Sequence, residues 1–134
     1  MRFLTKVLRF TLPFAASIPL AASADEGGDW HCTNAYFEIS CGDGKCTLAD
    51  AHTPMSIDVS RDAISWCAYS GCWTGPTGAT VSSGPFVSFH GLALERGDAS
   101  NFIVDVAIII DTRSQSATIM ASGLFTTPAT CERK

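Results

Sequence analysis

Phe102-Ile103-Val104-Asp105-Val106-Ala107-Ile108-Ile109-Ile110-Asp111-Thr112-Arg113-Ser114-Gln115-Ser116-Ala117-Thr118-Ile119-Met120-Ala121-Ser122-Gly123 decides the fold. Phe102, Val104, Val106, Ile108 and Ile110 recur with a period of two, which lines one face of a strand with apolar side chains. Asp111 to Gln115 reads as a turn, and Ala117, Ile119 and Ala121 carry the same alternation back. The stretch predicts a long antiparallel hairpin as the spine of a sheet. Apolar Ile103, Ala107 and Ile109 on the second face predict partial cover there too.

Shorter alternating runs surround it. Phe37, Ile39 and Cys41 alternate with Tyr36, Glu38 and Ser40; Met55, Ile57 and Val59 alternate with Ser56, Asp58 and Ser60. Ile64, Trp66 and Ala68 then point opposite to Ala63, Ser65 and Cys67, with Arg61-Asp62 a tight connection of open turn type. Gly75 to Pro85 holds three glycines and two prolines, so it reads as a loop, with Thr80-Val81-Ser82 able to pair briefly at an edge. Phe86 to Glu95 reads as a strand with a bulge or bend at Gly91. No helical period of convincing length follows residue 24. These patterns predict an all-β chain, a single small antiparallel β-sandwich or barrel of about seven to eight strands.

The N-terminus is of another kind. Arg2, Lys6 and Arg9 precede an apolar run from Phe10 to Leu20, and Ala22-Ser23-Ala24 has the small-x-small form of a cleavage site. Residues 1–24 read as a cleaved secretory signal and 25–134 as one exported β-rich domain. Pro13 and Pro19 interrupt the apolar run, which is short for a membrane span. Cleavage leaves six basic residues against 13 acidic ones. That balance, with the basic residues scattered, argues against nucleic acid or an anionic membrane surface as a partner.

All six cysteines lie beyond residue 24. An even count in a small exported chain reads as a disulfide frame. The expected pairs are Cys41–Cys46, Cys67–Cys72 and Cys32–Cys131. The last closes a loop from 32 to 131, for which the chain-entropy model gives about 4.7 kcal/mol against about 2 for a short pair. The rival reading is a Cys/His metal-handling protein, with the two C-x4-C pairs and His31 or His52 as ligands. The spacing lies at the edge of the zinc pattern, and export opposes free thiolates.

No catalytic signature is present. There is no G-x-S-x-G and no calcium loop, and no cofactor motif or resident metal site is expected. A small cell-envelope hydrolase using His90 with Asp105 requires those two groups within hydrogen-bond reach. The leading expectation is a non-enzymatic binding module, including an inhibitor, for an extracytoplasmic protein or glycan. Its contacts would come from the disulfide-stapled turn Cys67-Ala68-Tyr69-Ser70-Gly71-Cys72 and the chain after it, that is from Tyr69, Trp73, Thr74 and Pro76. Trp66, in phase with Ile64, is expected inside.

Overall fold

The computed structural model describes residues 27–69, 71–98 and 101–134. The expected signal, residues 1–24, lies outside them. The strands are β1 (Trp30–Asn34), β2 (Ile39–Gly42), β3 (Lys45–Leu48), β4 (Met55–Val59), β5 (Ala63–Ala68), β6 (Gly71–Pro76), β7 (Ala79–Ser83), β8 (Phe86–Arg96), β9 (Ile103–Asp111), β10 (Ser116–Ala121) and β11 (Phe125–Arg133). No helix occurs among the described residues.

Eight of the strands close into an antiparallel barrel. Pairing runs β1-β4-β5-β6-β8-β9-β10-β11, and β11 pairs back onto β1. Of the two architectures open to the sequence, the chain takes the barrel. Three strands lie off the ring: β7 extends the edge of β8, and the hairpin β2–β3 hangs from β11 through the pair Thr126↔Ile39. The interior follows the alternation of the strands. Val104, Val106, Ile108 and Ile110 of β9 are buried, as are Ala117, Ile119 and Ala121 of β10, and Met55, Ile57, Val59, Ile64 and Trp66.

All three disulfides join directly opposed residues of antiparallel pairs. Cys32–Cys131 spans β1 and β11, Cys41–Cys46 spans β2 and β3, and Cys67–Cys72 spans β5 and β6. Their Cα atoms lie 4.0–4.1 Å apart, the close approach of a non-hydrogen-bonded pair. Cys32 and Cys131 are fully buried, so this bridge is both a core contact and the staple of the closing seam. Three such bridges fit an oxidising, extracytoplasmic setting.

The structure resolves the bulge in β8 one residue on from Gly91. Leu92 and Ala93 together face Asp105, whose Oδ1 accepts the Ala93 N–H at 2.7 Å. Ala93 takes φ +53°. The extra residue returns Leu94 to the interior, into space left by Gly75 and Gly91. A Cβ at either glycine would come within 3.0 Å of the Leu94 side chain. Between β4 and β5, Arg61 and Asp62 form a two-residue connection without positive φ. Ser60 makes this work: its Oγ accepts the N–H groups of Asp62 and Ala63.

Three expectations are corrected. The alternation over Tyr36–Glu38 does not make a strand there. β2 begins at Ile39, because Glu38 turns inward to accept the Thr53 N–H at 2.5 Å and Thr127 Oγ1 donates to the Phe37 carbonyl. Gly75–Pro85 is mostly strand: β6 runs to Pro76, and β7 pairs with β8 from Ala79 to Ser83. Its prolines lie at a strand end and beside a turn, where the ladder needs no donor. On the second face of β9, Ile103 and Ile109 are exposed and only Ala107 is half-buried, so the expected cover is limited to the middle of the strand. The first and last strands, β1 and β11, arise from segments whose polar residues hide the alternation.

At the seam's outer surface Glu132, His31 and Asp58 are directly opposed on β11, β1 and β4. Asp58 Oδ1 meets Lys134 Nζ at 2.5 Å and His31 Nδ1 at 2.8 Å. The Lys134 contact first, then His31, holds the Asp58 carboxyl below its ordinary value of 3.8. A depressed folded-state value contributes stability that is complete above 3.8 and is lost as the pH falls below it. Asp58→Asn is therefore expected to flatten the acid limb of the stability profile. At neutral pH it should cost under about 1 kcal/mol, because the pair is exposed. Urea titrations at several pH values would show it; parallel profiles for the two proteins would refute the assignment. Replacing both Cys32 and Cys131 by alanine is expected to cost roughly 2–5 kcal/mol, and more than replacing Cys41 and Cys46. Denaturation midpoints of the two double variants decide the order.

Candidate functional site

Antiparallel order places one set of strand ends at one mouth of the barrel. The end of β1, the start of β4, the β5–β6 turn, the β8–β9 connection and the β10–β11 turn all lie there. Aromatic rings fill this mouth. Trp66 and Trp73 stack at 4.7 Å, Phe125 meets Trp66 edge-on at 5.8 Å, and Phe102 meets Trp73 edge-on at 5.8 Å. The run crosses the mouth from β11, through β5 and β6, to the residue before β9. Trp73 Nε1 donates to the Phe102 carbonyl at 3.1 Å, and the Arg96 guanidinium covers the ring at 5.1 Å.

Trp73 is thus a closing element of the core, 8% exposed, and not part of an exposed platform. Trp66 is inside as expected, 3% exposed. Thr74 and Pro76 are exposed on β6, and Tyr69 stands clear of the surface at 80% exposure. The sequence-predicted residues therefore divide: Tyr69, Thr74 and Pro76 face solvent, while Trp73 faces inward. Tyr69 has φ +43° in the turn spanned by the Cys67–Cys72 bridge. A non-glycine residue in that region costs roughly 1–2 kcal/mol, which the surrounding staple and strand pairing offset.

Beside Tyr69 lies an open groove of about 770 Å³ lined by Pro54, Met55, Ser56, Ala68 and the Gly97–Asp98 segment, with both sulfur-bearing residues of the 67–72 bridge on its wall. The Arg96–Asp98 ion pair, 2.9 Å, borders it. Around the same mouth sequence reasoning missed a set of exposed apolar side chains: Tyr36, Phe37, Leu48, Phe102 and Leu124. Tyr36 is 90% exposed, and its ring meets that of His52 in a T-shaped contact at 5.3 Å. Each of these residues falls at a strand end or turn, where alternation no longer tells which way a side chain points. Phe37 and Phe102, which the alternation placed on the apolar faces of strands, are instead 43% and 45% exposed.

Asn34 anchors the excursion that carries Tyr36 and Leu48. Its Nδ2 donates to the Thr53 carbonyl and its Oδ1 accepts the Met55 N–H, so the side chain bridges the neck of the 35–54 segment. The hydrolase pair is not assembled. His90 Nε2 meets Ser88 Oγ at 3.3 Å, and the Asp105 carboxylate is engaged by the bulge. All six cysteines are in disulfides, so none offers a thiolate to a metal, and among the described residues no group of three His, Cys, Asp or Glu side chains converges. Comparison with protein-family models, with curated proteins and with solved structures finds no match.

Substitutions at two positions separate the roles of the neighbouring aromatics. Trp73→Ala is expected to destabilise by about 3–5 kcal/mol, as for other large core truncations. Tyr69→Gly is expected to be more stable than Tyr69→Ala by about 1 kcal/mol, because glycine accepts the positive φ without strain. Thermal unfolding of the three variants checks both. An alanine variant at 69 as stable as the glycine variant would show that the turn relaxes to another conformation.

Proposed function

We propose that this chain is a non-catalytic binding module that acts outside the cytoplasm and takes a protein partner at the aromatic mouth of the barrel. One observation carries the reading. Tyr36, Phe37, Leu48, Tyr69, Phe102 and Leu124 are exposed at strand ends and turns of one mouth, beside an open groove on a stapled frame, whereas the other exposed large apolar side chains are spread along β7 to β10. Concentrated exposed apolar surface marks interaction sites. Tyr69 and Tyr36 have the amphipathic character of interface anchors, and both are presented on segments fixed by covalent or side-chain bridges. Fixing them beforehand lowers the ordering cost of association.

A protein is favoured over a glycan because the rim includes Leu48, Leu124 and Phe37 beside the tyrosines. Sugar rings stack on flat aromatic faces, whereas exposed leucines add apolar area of the kind that protein contacts bury. Export through residues 1–24 would deliver the module to the periplasm or the medium.

A photo-crosslinking amino acid placed at 69, 36 or 118 in the natively produced protein tests this. Positions 69 and 36 lie at the mouth, and Thr118 lies on the outer wall of β10. The expected result is one discrete protein adduct from 69 and 36 and none from 118. Tyr36→Ala and Tyr69→Ala together should weaken binding of the purified adduct partner at least about tenfold, as for anchor residues. Equal adducts from 118 would move the interface away from the mouth. Binding to a glycan array that depends on Tyr69, without a protein adduct, would replace the protein by a glycan.

A further inference from the structure

The three disulfides occupy different environments, and one of them meets a groove. Cys32 and Cys131 are fully buried. Cys41 and Cys46 are both exposed, on a hairpin that does not line the groove. Cys67 is half-buried and Cys72 exposed, and the two form part of the groove wall below Tyr69. Thiol–disulfide exchange requires in-line access of a thiolate to one sulfur, with the other as leaving group. Among the three bridges, the one between 67 and 72 lines the open groove, and Cys72 is the more exposed residue of that pair.

We propose that the Cys67–Cys72 bridge is a site of thiol–disulfide exchange, attacked at Cys72 Sγ by a protein dithiol of the Cys-x-x-Cys type. The donor thiolate forms a bond to Cys72 Sγ, the bond between the two sulfurs breaks, and Cys67 Sγ leaves with the electron pair and takes a proton. The second donor thiol loses its proton and attacks its own partner sulfur in the mixed disulfide. This forms the donor's internal disulfide and releases Cys72, which takes the second proton. Two electrons and two protons pass to the bridge, and the donor leaves oxidised.

The turn is built to respond. Tyr69 holds a strained positive φ between Ala68 and Gly71, which pair directly, and the bridge lies on the next pair. Opening it leaves backbone pairing alone to hold that strain. Gly71 also packs against the Arg96 guanidinium, whose partner Asp98 lines the groove, so a relaxed turn alters the groove wall. The exchange itself stands whether or not the mouth binds a protein.

The test uses the folded, oxidised protein and a reduced thioredoxin-type protein whose resolving cysteine is replaced by serine, which traps the mixed disulfide. Peptide mapping is expected to place the adduct on Cys72, and to find it still in the Cys41→Ser/Cys46→Ser variant. Timed alkylation in dithiothreitol should label Cys67 and Cys72 on the order of tenfold faster than Cys32 and Cys131, as their exposure dictates. An adduct on Cys67, Cys41 or Cys46 in place of Cys72 would overturn the proposal. So would labelling of Cys67 and Cys72 no faster than that of the buried pair.

Discussion

The fold depends on the pairing of its first strand with its last. Without β1 against β11 the sheet would be an open ribbon with two free edges, and each edge would expose a row of unpaired donors and acceptors. Closure removes both edges and encloses a common interior. It also brings together segments a hundred residues apart, the most expensive contact in the chain in entropic terms. Cys32 and Cys131 address that cost where it arises. They face each other in register and are fully buried, and the covalent bond keeps the ends near each other even when the chain unfolds. The seam is reinforced outside by Lys134 and His31 on Asp58, and capped by Arg133 over the Trp30 ring at 5.4 Å.

The legibility of this fold in the sequence follows from where burial is one-sided. β4, β5, β9 and β10 have one face inside and one in solvent, so Met55-Ile57-Val59 or Val104-Val106-Ile108-Ile110 state their orientation openly. The cysteine pairs were readable for a related reason: the equal spacing of 41–46 and 67–72 matches direct opposition across tight hairpins. β1 and β11 were hidden because their inward residues include Cys32, Thr127, Ala129 and Cys131, which carry little hydropathy contrast. Thr127 is fully buried, yet its hydroxyl is satisfied by the Phe37 carbonyl. No pattern in the flanking residues signals that bond. The glycine- and proline-rich stretch misled for the opposite reason, since Gly75 is there to admit Leu94 and not to bend a loop.

The candidate site was half legible. Crowded tryptophans and a stapled turn pointed to the mouth that holds the candidate site, and Tyr69 is exposed there. Orientation at Trp73 depended on the registry of β6 with both β5 and β8, a non-local fact. The rim residues Tyr36, Leu48 and Leu124 depended on chain direction after strand ends, which no periodicity records. The rings that close the core and the side chains that remain outside it thus belong to one aromatic layer, divided by which partner each finds.

The two ends of the described chain share the pole opposite the mouth: Lys134 N–H donates to the Asp29 carbonyl, and Trp30 pairs with Arg133. Tension applied to the ends therefore peels β1 from β11 one residue pair at a time. The third pair from the end is Cys32↔Cys131. Peeling stops there, because the load passes from hydrogen bonds to a sulfur–sulfur bond, and everything between those two cysteines is shielded from the pull. A module tethered by this pole can be dragged by its ends while the barrel, and the mouth at its far side, keep their shape.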